Sequence, residues 1–378
     1  MSENTIPSRA SAQSRATANG LDKIVAAETA LSHVDGEAGR LVIAGYDLED
    51  LVATHDFEAA TALLWRIAGR DPAPSADSLR AQLGEARQMA FRLVPVLLAS
   101  TKGLTVTEGL RAGLSLLADD GDLAPEIRAV GAVPVFVAAL CRHENGEPAI
   151  APVAHHGHAA DFLRMLRGEP ASQAEVDALN AYLVTVTDHG MNASTFTARV
   201  IASTRAGMIS SVVGALCALK GPLHGGAPGP VLDMLDAIGT RDNIAPWLKR
   251  EIAKGERLMG FGHRVYKVRD PRADVFNKAV TLLTNGNERV LFARDVERGA
   301  LAALREAKPD QRLDTNMEYY TAILLEALGI PRSAVTAVFC LSRIAGWTAH
   351  VMEQERVGRL IRPQSVYIGA WPGDEAAA

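Results

Sequence analysis

The chain has 378 residues, 48% hydrophobic and 22% charged, the ordinary balance of a globular protein with a substantial core. With 39 basic and 44 acidic residues its net charge is −5, which excludes a general nucleic-acid binder, since such domains are basic as a whole. The longest apolar run, AVGAVPVFVAALC at 129–141, is broken by Pro134 and falls short of the roughly 20 residues that span a bilayer. It reads as a buried helix, and no membrane partner is expected.

Residues 1–19 are rich in Ser, Ala, Thr and Arg and lack an apolar stretch, so they read as a flexible tail and not a secretory signal. Next, LDKIVAAETALSHV (21–34) and RLVIA (40–44) flank DGEAG, where Asp35-Gly36 signals a turn and predicts a small hairpin. Beyond it nearly every segment has helical periodicity, first at 57–68, 79–97 and 105–117. The stretch 143–158, HENGEPAIAPVAHHGH, reads as a surface connection. Ser172 and Glu175 form a capping box that opens a helix with Val176, Leu179, Leu183 and Val186 on one face. Helical runs then cover 193–204, 207–219, 227–238, 245–254, 272–284, 287–307, 316–328 and 333–355. Gly221-Pro222, Lys308-Pro309-Asp310 and Gly329 with Pro331 break them. The fold class is all-α with a minor N-terminal β hairpin. Cys141, Cys217 and Cys340 are widely spaced in apolar surroundings, which suggests reduced, buried thiols and a cytoplasmic location.

Common cofactor signatures are missing. GFGHRV lacks the third glycine of a dinucleotide fingerprint, and GPLHGGAPG lacks the Lys-Ser/Thr of a P-loop. His155, His156 and His158 have no acidic or cysteine partner at metal-site spacing, so no metal is expected. Four stretches remain: TDHGMNASTFTAR (187–199) with His189, GPLHGGAPG (221–229) with His224, GFGHRVYKVRDPR (260–272) with His263, and TNMEYY (315–320) with Glu318. Taken singly, helix capping, a solvated turn or the helix dipole accounts for each. Together they supply histidines in glycine turns, a carboxylate and several arginines, the set needed for acid–base chemistry on an anionic substrate. Arginine forks bind carboxylates bidentately, which lysine cannot do.

From about Gly20 to Gly369 the sequence resembles the citrate synthase family. GPLHGGA, MGFGHRVYK-x-x-DPRA, NMEYYTAILLEALGIP and SRIAGWTAH-x-x-E carry the likeness, in the right order and at suitable spacing. The resemblance implies a large helical domain (20–223 and 334–378) and a small helical domain (224–333) that closes over the substrates. It implies condensation of acetyl-CoA with oxaloacetate and hydrolysis of citryl-CoA, without a metal or redox cofactor. Carried over by position, His263 is the acid that protonates the oxaloacetate carbonyl, and His224 stabilises the enolate of the thioester. Glu318 stands where the family's catalytic base is normally an aspartate. His189, Arg272 and Arg343 match oxaloacetate-binding positions, and Lys267 matches one that approaches the coenzyme. Arg362 matches an arginine that reaches the neighbouring subunit's site, which implies a homodimer. The short stretch before the hairpin leads us to expect the short, dimeric type, without the N-terminal β domain of larger, NADH-regulated members.

Two alternatives stay open at this stage. One is a 2-methylcitrate synthase using propionyl-CoA, because one methylene is worth only about 1–3 kcal/mol in a pocket. The other is a non-catalytic CoA- or dicarboxylate-binding homologue, with Glu318 as its signature.

Overall fold

The computed structural model describes residues 21, 24–222, 224, 229–262, 270–283, 287–309, 313–365, 367, 369 and 372. The expected hairpin is present: β1 (Ser32–Asp35) pairs antiparallel with β2 (Arg40–Ile43), with Asp35 opposite Arg40. Asp35 Oδ1 accepts the backbone N–H groups of Glu37 and Ala38 at 3.1 and 2.9 Å, which closes the turn. A short third strand, β3 (Tyr46–Asp47), extends the sheet on the β2 side.

Among the described residues the remaining elements are helices. The order is α1 (Leu48–Thr54), α2 (Phe57–Ala68), α3 (Ala76–Phe91), α4 (Val94–Ser100), α5 (Val106–Leu114) and α6 (Pro125–Glu144). Then come α7 (His158–Arg167), α8 (Gln173–Thr185), α9 (Ala193–Ala202), α10 (Met208–Leu219) and α11 (Gly229–Ile238). The chain continues with α12 (Ile244–Ala253), α13 (Pro271–Leu282), α14 (Glu288–Ala307), α15 (Met317–Ala327) and α16 (Val335–Val357). The Ser172–Glu175 box opens α8 as expected, each residue accepting the other's backbone N–H.

Three expectations need correction. The run 79–97 is two helices, because Pro95 near the start of α4 has no N–H with which to continue α3. His158 does not lie in a surface loop; it opens α7, is buried, and stacks on Phe57 with ring centroids 4.7 Å apart. The preceding backbone tucks so tightly against α3 that a Cβ at Gly84 would sit 2.0 Å from the Ala154 carbonyl oxygen. Finally, Cys217 is exposed on α10, whereas Cys141 and Cys340 are buried as expected.

Helix α16 forms the axis of the core, packing on α2, α6, α9 and α10. Among the described residues Arg332–Val357 is long and apolar enough to cross a bilayer, yet 83% of its most apolar window is buried inside the fold. It is a core helix. On a second front α13 packs on both α15 and α8, which brings the 270s and the 310s towards the loop after α8.

Candidate active site

One face of α16 fastens the end of α8 and the loop that follows it. The Ser342 hydroxyl donates to the Leu183 carbonyl, and Arg343 Nε donates to the Val186 carbonyl at 2.7 Å. A turn further on, a Cβ at Gly346 would lie 2.1 Å from the Thr187 carbonyl oxygen, so this approach requires glycine. After one more turn His350 Nε2 lies 3.2 Å from both carboxylate oxygens of Asp188. Residues 342, 343, 346 and 350 recur at helical spacing on a single stripe. That stripe delivers the next residue, His189, partly buried, beside Arg343.

Arg343 is fully buried, and its Nη1 and Nη2 have no hydrogen-bond partner among the described residues. Its guanidinium lies over the Phe339 ring, 4.7 Å from the centroid. Burial draws its pKa down to about 10, with Asp188 opposing and Arg272 reinforcing the shift. Arg272 comes from the first turn of α13. There Asp270 caps the helix by accepting the Arg272 N–H at 3.0 Å and also grips Nε and Nη2 at 3.0 and 2.9 Å. Asp-Pro-Arg is thus both a helix start and a device for aiming a guanidinium. Burial, then the charges of Arg343 and Arg272, hold the His189 imidazole well below its ordinary pKa, so the ring is neutral. Two buried guanidiniums flanking a neutral histidine suit a small dicarboxylate.

His224 joins this cluster through the charge of Arg343. Its Nε2 is 2.8 Å from Ser194 Oγ, which donates to Asn192 Oδ1 at 2.7 Å and accepts from Trp347 Nε1 at 3.2 Å. Asn192 caps α9 through the N–H groups of Ser194 and Thr195, so the cap also fixes the histidine's partner. Burial and the Arg343 charge lower the His224 pKa, leaving a neutral ring.

Glu318 sits in the first turn of α15, whose N-cap Asn316 accepts its backbone N–H at 3.1 Å. Its Oε2 is buried with no hydrogen-bond partner among the described residues. Burial raises its pKa despite the nearby charge of Arg272. A carboxylate kept this way is a stronger base than a solvated one. Asn316 also donates from Nδ2 to the Gly262 carbonyl at 2.8 Å, and its N–H reaches the Gly260 carbonyl at 2.9 Å. The backbone leading towards the third motif is therefore stitched to the start of α15.

The structure thus links the five residues through two guanidiniums: Arg343 acts on His189 and His224, and Arg272 acts on His189, Arg343 and Glu318. His263 and Lys267 lie outside the described residues. Arg362 is exposed on the segment after α16 and takes no part in this cluster's hydrogen bonds. Among the described residues no group of three or more His, Cys, Asp or Glu is arranged to hold a metal ion, and the histidines at 155–158 form none. Local reading of the sequence treated Ser194 and Asn192 as caps only, and gave Asn316, Trp347 and His350 no role.

Neutral histidines, paired guanidiniums and an isolated carboxylate on an all-helical scaffold define an acid–base enzyme for an anionic substrate. Residues 20–364 match the family described as citrate synthase, C-terminal domain. Citrate synthase 2 of Bacillus subtilis is 35% identical over 363 residues, covering 93% of this chain and 95% of that protein. The 2-methylcitrate synthase of Mycobacterium tuberculosis is 36% identical over 364 residues, covering 93% and 90%. The ternary complex of carboxymethyl coenzyme A and oxaloacetate with the Thermoplasma acidophilum citrate synthase superposes with a TM-score of 0.80. It is 30% identical, covering 94% of this chain and 97% of that one. This chain belongs to the citrate synthase family. It is a transferase whose reaction is the condensation of an acyl-CoA with oxaloacetate.

Proposed function

We propose that the chain condenses acetyl-CoA with oxaloacetate and then hydrolyses citryl-CoA to citrate and CoA. The observation that carries this reading is the buried Nη pair of Arg343, without a partner among the described residues, beside His189 and Arg272, with the buried Oε2 of Glu318, likewise without one there, within reach of Arg272. Arg272 and Arg343 hold the oxaloacetate carboxylates, and His189 orients its other polar groups. Glu318 takes a proton from the acetyl carbon while His224 bears on the thioester oxygen. The enol carbon attacks the ketone, whose oxygen takes a proton from His263. Water then cleaves the thioester and releases the thiol. No step changes an oxidation state, so the scheme assigns nothing to a redox cofactor. The likeness to a relative solved with carboxymethyl coenzyme A and oxaloacetate supports both substrates.

The test is thiol release. Acetyl-CoA should give free CoA only when oxaloacetate is present, and no release with either acetyl-CoA or propionyl-CoA would sink the reading. Specificity constants for the two thioesters, measured side by side, should favour acetyl-CoA. A ratio favouring propionyl-CoA would make the chain a 2-methylcitrate synthase with the same mechanism.

A homodimer with Arg362 crossing into the partner's site belongs to the same proposal. So do Lys267 as a coenzyme contact, a closing small domain at 224–333, and a cytoplasmic location. Mixing Arg362→Ala with His263→Ala chains should restore activity, because one site of the mixed dimer keeps both groups. With subunit exchange demonstrated, failure to complement would remove Arg362 from the partner's site.

A further inference from the structure

His350 and Asp188 are both fully buried, and neither touches substrate in the scheme above. The His350 ring lies between partners of different hydrogen-bonding capacity. Arg199 Nη1 is 3.0 Å from Nδ1, and a guanidinium can only donate, so Nδ1 accepts. Nε2 therefore carries the ring proton and donates it to the Asp188 carboxylate, 3.2 Å away. The imidazole is fixed as one neutral tautomer. Arg199 is itself anchored by Glu353 Oε2 at 2.5 Å and Gln354 Oε1 at 3.1 Å. Asp188 Oδ2 also accepts the Ser32 hydroxyl at 2.6 Å.

Asp188 adjoins His189 in the chain, and its charge acts on both His189 and Arg343. Burial alone would raise the Asp188 carboxyl, but the hydrogen bonds from His350 and Ser32 and the charge of Arg343 hold it below its ordinary value. Two guanidiniums share the site: Asp270 is the counter-charge of Arg272, and the Asp188 carboxylate is that of Arg343. If its donors were lost, it would turn or take a proton, and His189 and Arg343 would shift with it.

We propose that His350 is a positioning residue for the oxaloacetate half of the site, acting through Asp188 on His189 and Arg343. The assignment rests on the condensation reading. Its test is steady-state kinetics on Ser32→Ala, His350→Gln and His350→Leu, varying each substrate in turn. Leucine removes the donor to Asp188, whereas glutamine places an amide N–H near Nε2. A lost hydrogen bond to a charged group corresponds to about tenfold or more in binding. The KM for oxaloacetate should rise by about that factor in His350→Leu, and less in Ser32→Ala, with the KM for acetyl-CoA unchanged. His350→Gln should recover most of the loss. A purely structural role would lower thermal stability or kcat without favouring one substrate, and that outcome overturns the proposal. If the leucine variant does not fold, Ser32→Ala decides, and an unmoved oxaloacetate KM there overturns it. Wild-type protein that releases no thiol overturns the condensation reading and this assignment with it. Normal wild-type turnover with unmoved variants overturns the positioning role alone.

Discussion

Glu318→Gln should lower kcat by about 10²–10⁴-fold while leaving oxaloacetate affinity unchanged, because the amide keeps the shape of the side chain and removes the base. The same substitution should make the protein more stable at neutral pH. Burial raises the folded-state pKa of Glu318 above its ordinary value, so the folded chain holds the proton more tightly than the unfolded one. The contribution to stability is then most favourable below the ordinary glutamate pKa. It is lost as pH rises through the raised folded value. At pH 7 the buried carboxylate is a burden that glutamine lacks. Thermal melts of the two proteins at pH 7 check the sign, and a lower melting temperature for Glu318→Gln would mean that an unrecognised partner holds the charge. Turnover near wild type would show that another group takes the proton. Glu318→Asp separates two further cases. A faster enzyme means that the glutamate oxygens overshoot, and a slower one means that the site is built around the longer side chain. A 1 Å error is worth about 10²-fold.

Arg343→Met should raise the KM for oxaloacetate by about 10²–10³-fold, since a buried charge that loses its partner costs about 3–5 kcal/mol. The ligand-free protein should melt close to wild type, because the lost Nε bond to the Val186 carbonyl offsets the relief of an under-paired cation. Both Nη atoms of Arg343 lack partners among the described residues, so methionine relieves a buried, under-paired cation and can occupy the space over Phe339. Oxaloacetate should raise the melting temperature of the wild type and leave Arg343→Met unmoved. A variant still stabilised by oxaloacetate would show that Arg272 alone suffices.

The helices were legible because their signals are local. Ser172 with Glu175 announces a helix start, and the pair caps its helix in the structure. Where the reading failed, a tertiary contact decided. Nothing around His158 marks a buried helix start, because its environment comes from Phe57 and from Glu58, which accepts its N–H at 2.9 Å. The candidate site divides the same way. His189, His224, Arg272, Arg343 and Glu318 were found through ordered motifs. The side chains that orient them were not, because their partners are remote: His350 meets Arg199 across 151 residues of chain and Asp188 across 162. In sequence His350 ends the SRIAGWTAH motif two turns beyond Arg343, and nothing local gives it a role.

That remoteness bears on how the enzyme comes into being. The contacts from α16 that set the oxaloacetate cluster span 157 residues at Arg343 and 162 at His350, and Glu353 reaches back 323 residues to the Ala30 N–H. Local helices form early and at little entropic cost, whereas closures of this length come late. During refolding, helical circular dichroism should therefore recover well before catalytic competence. A nascent chain whose last third is not yet synthesised can hold its earlier helices, but it lacks α13, α15 and α16 and so has no oxaloacetate site.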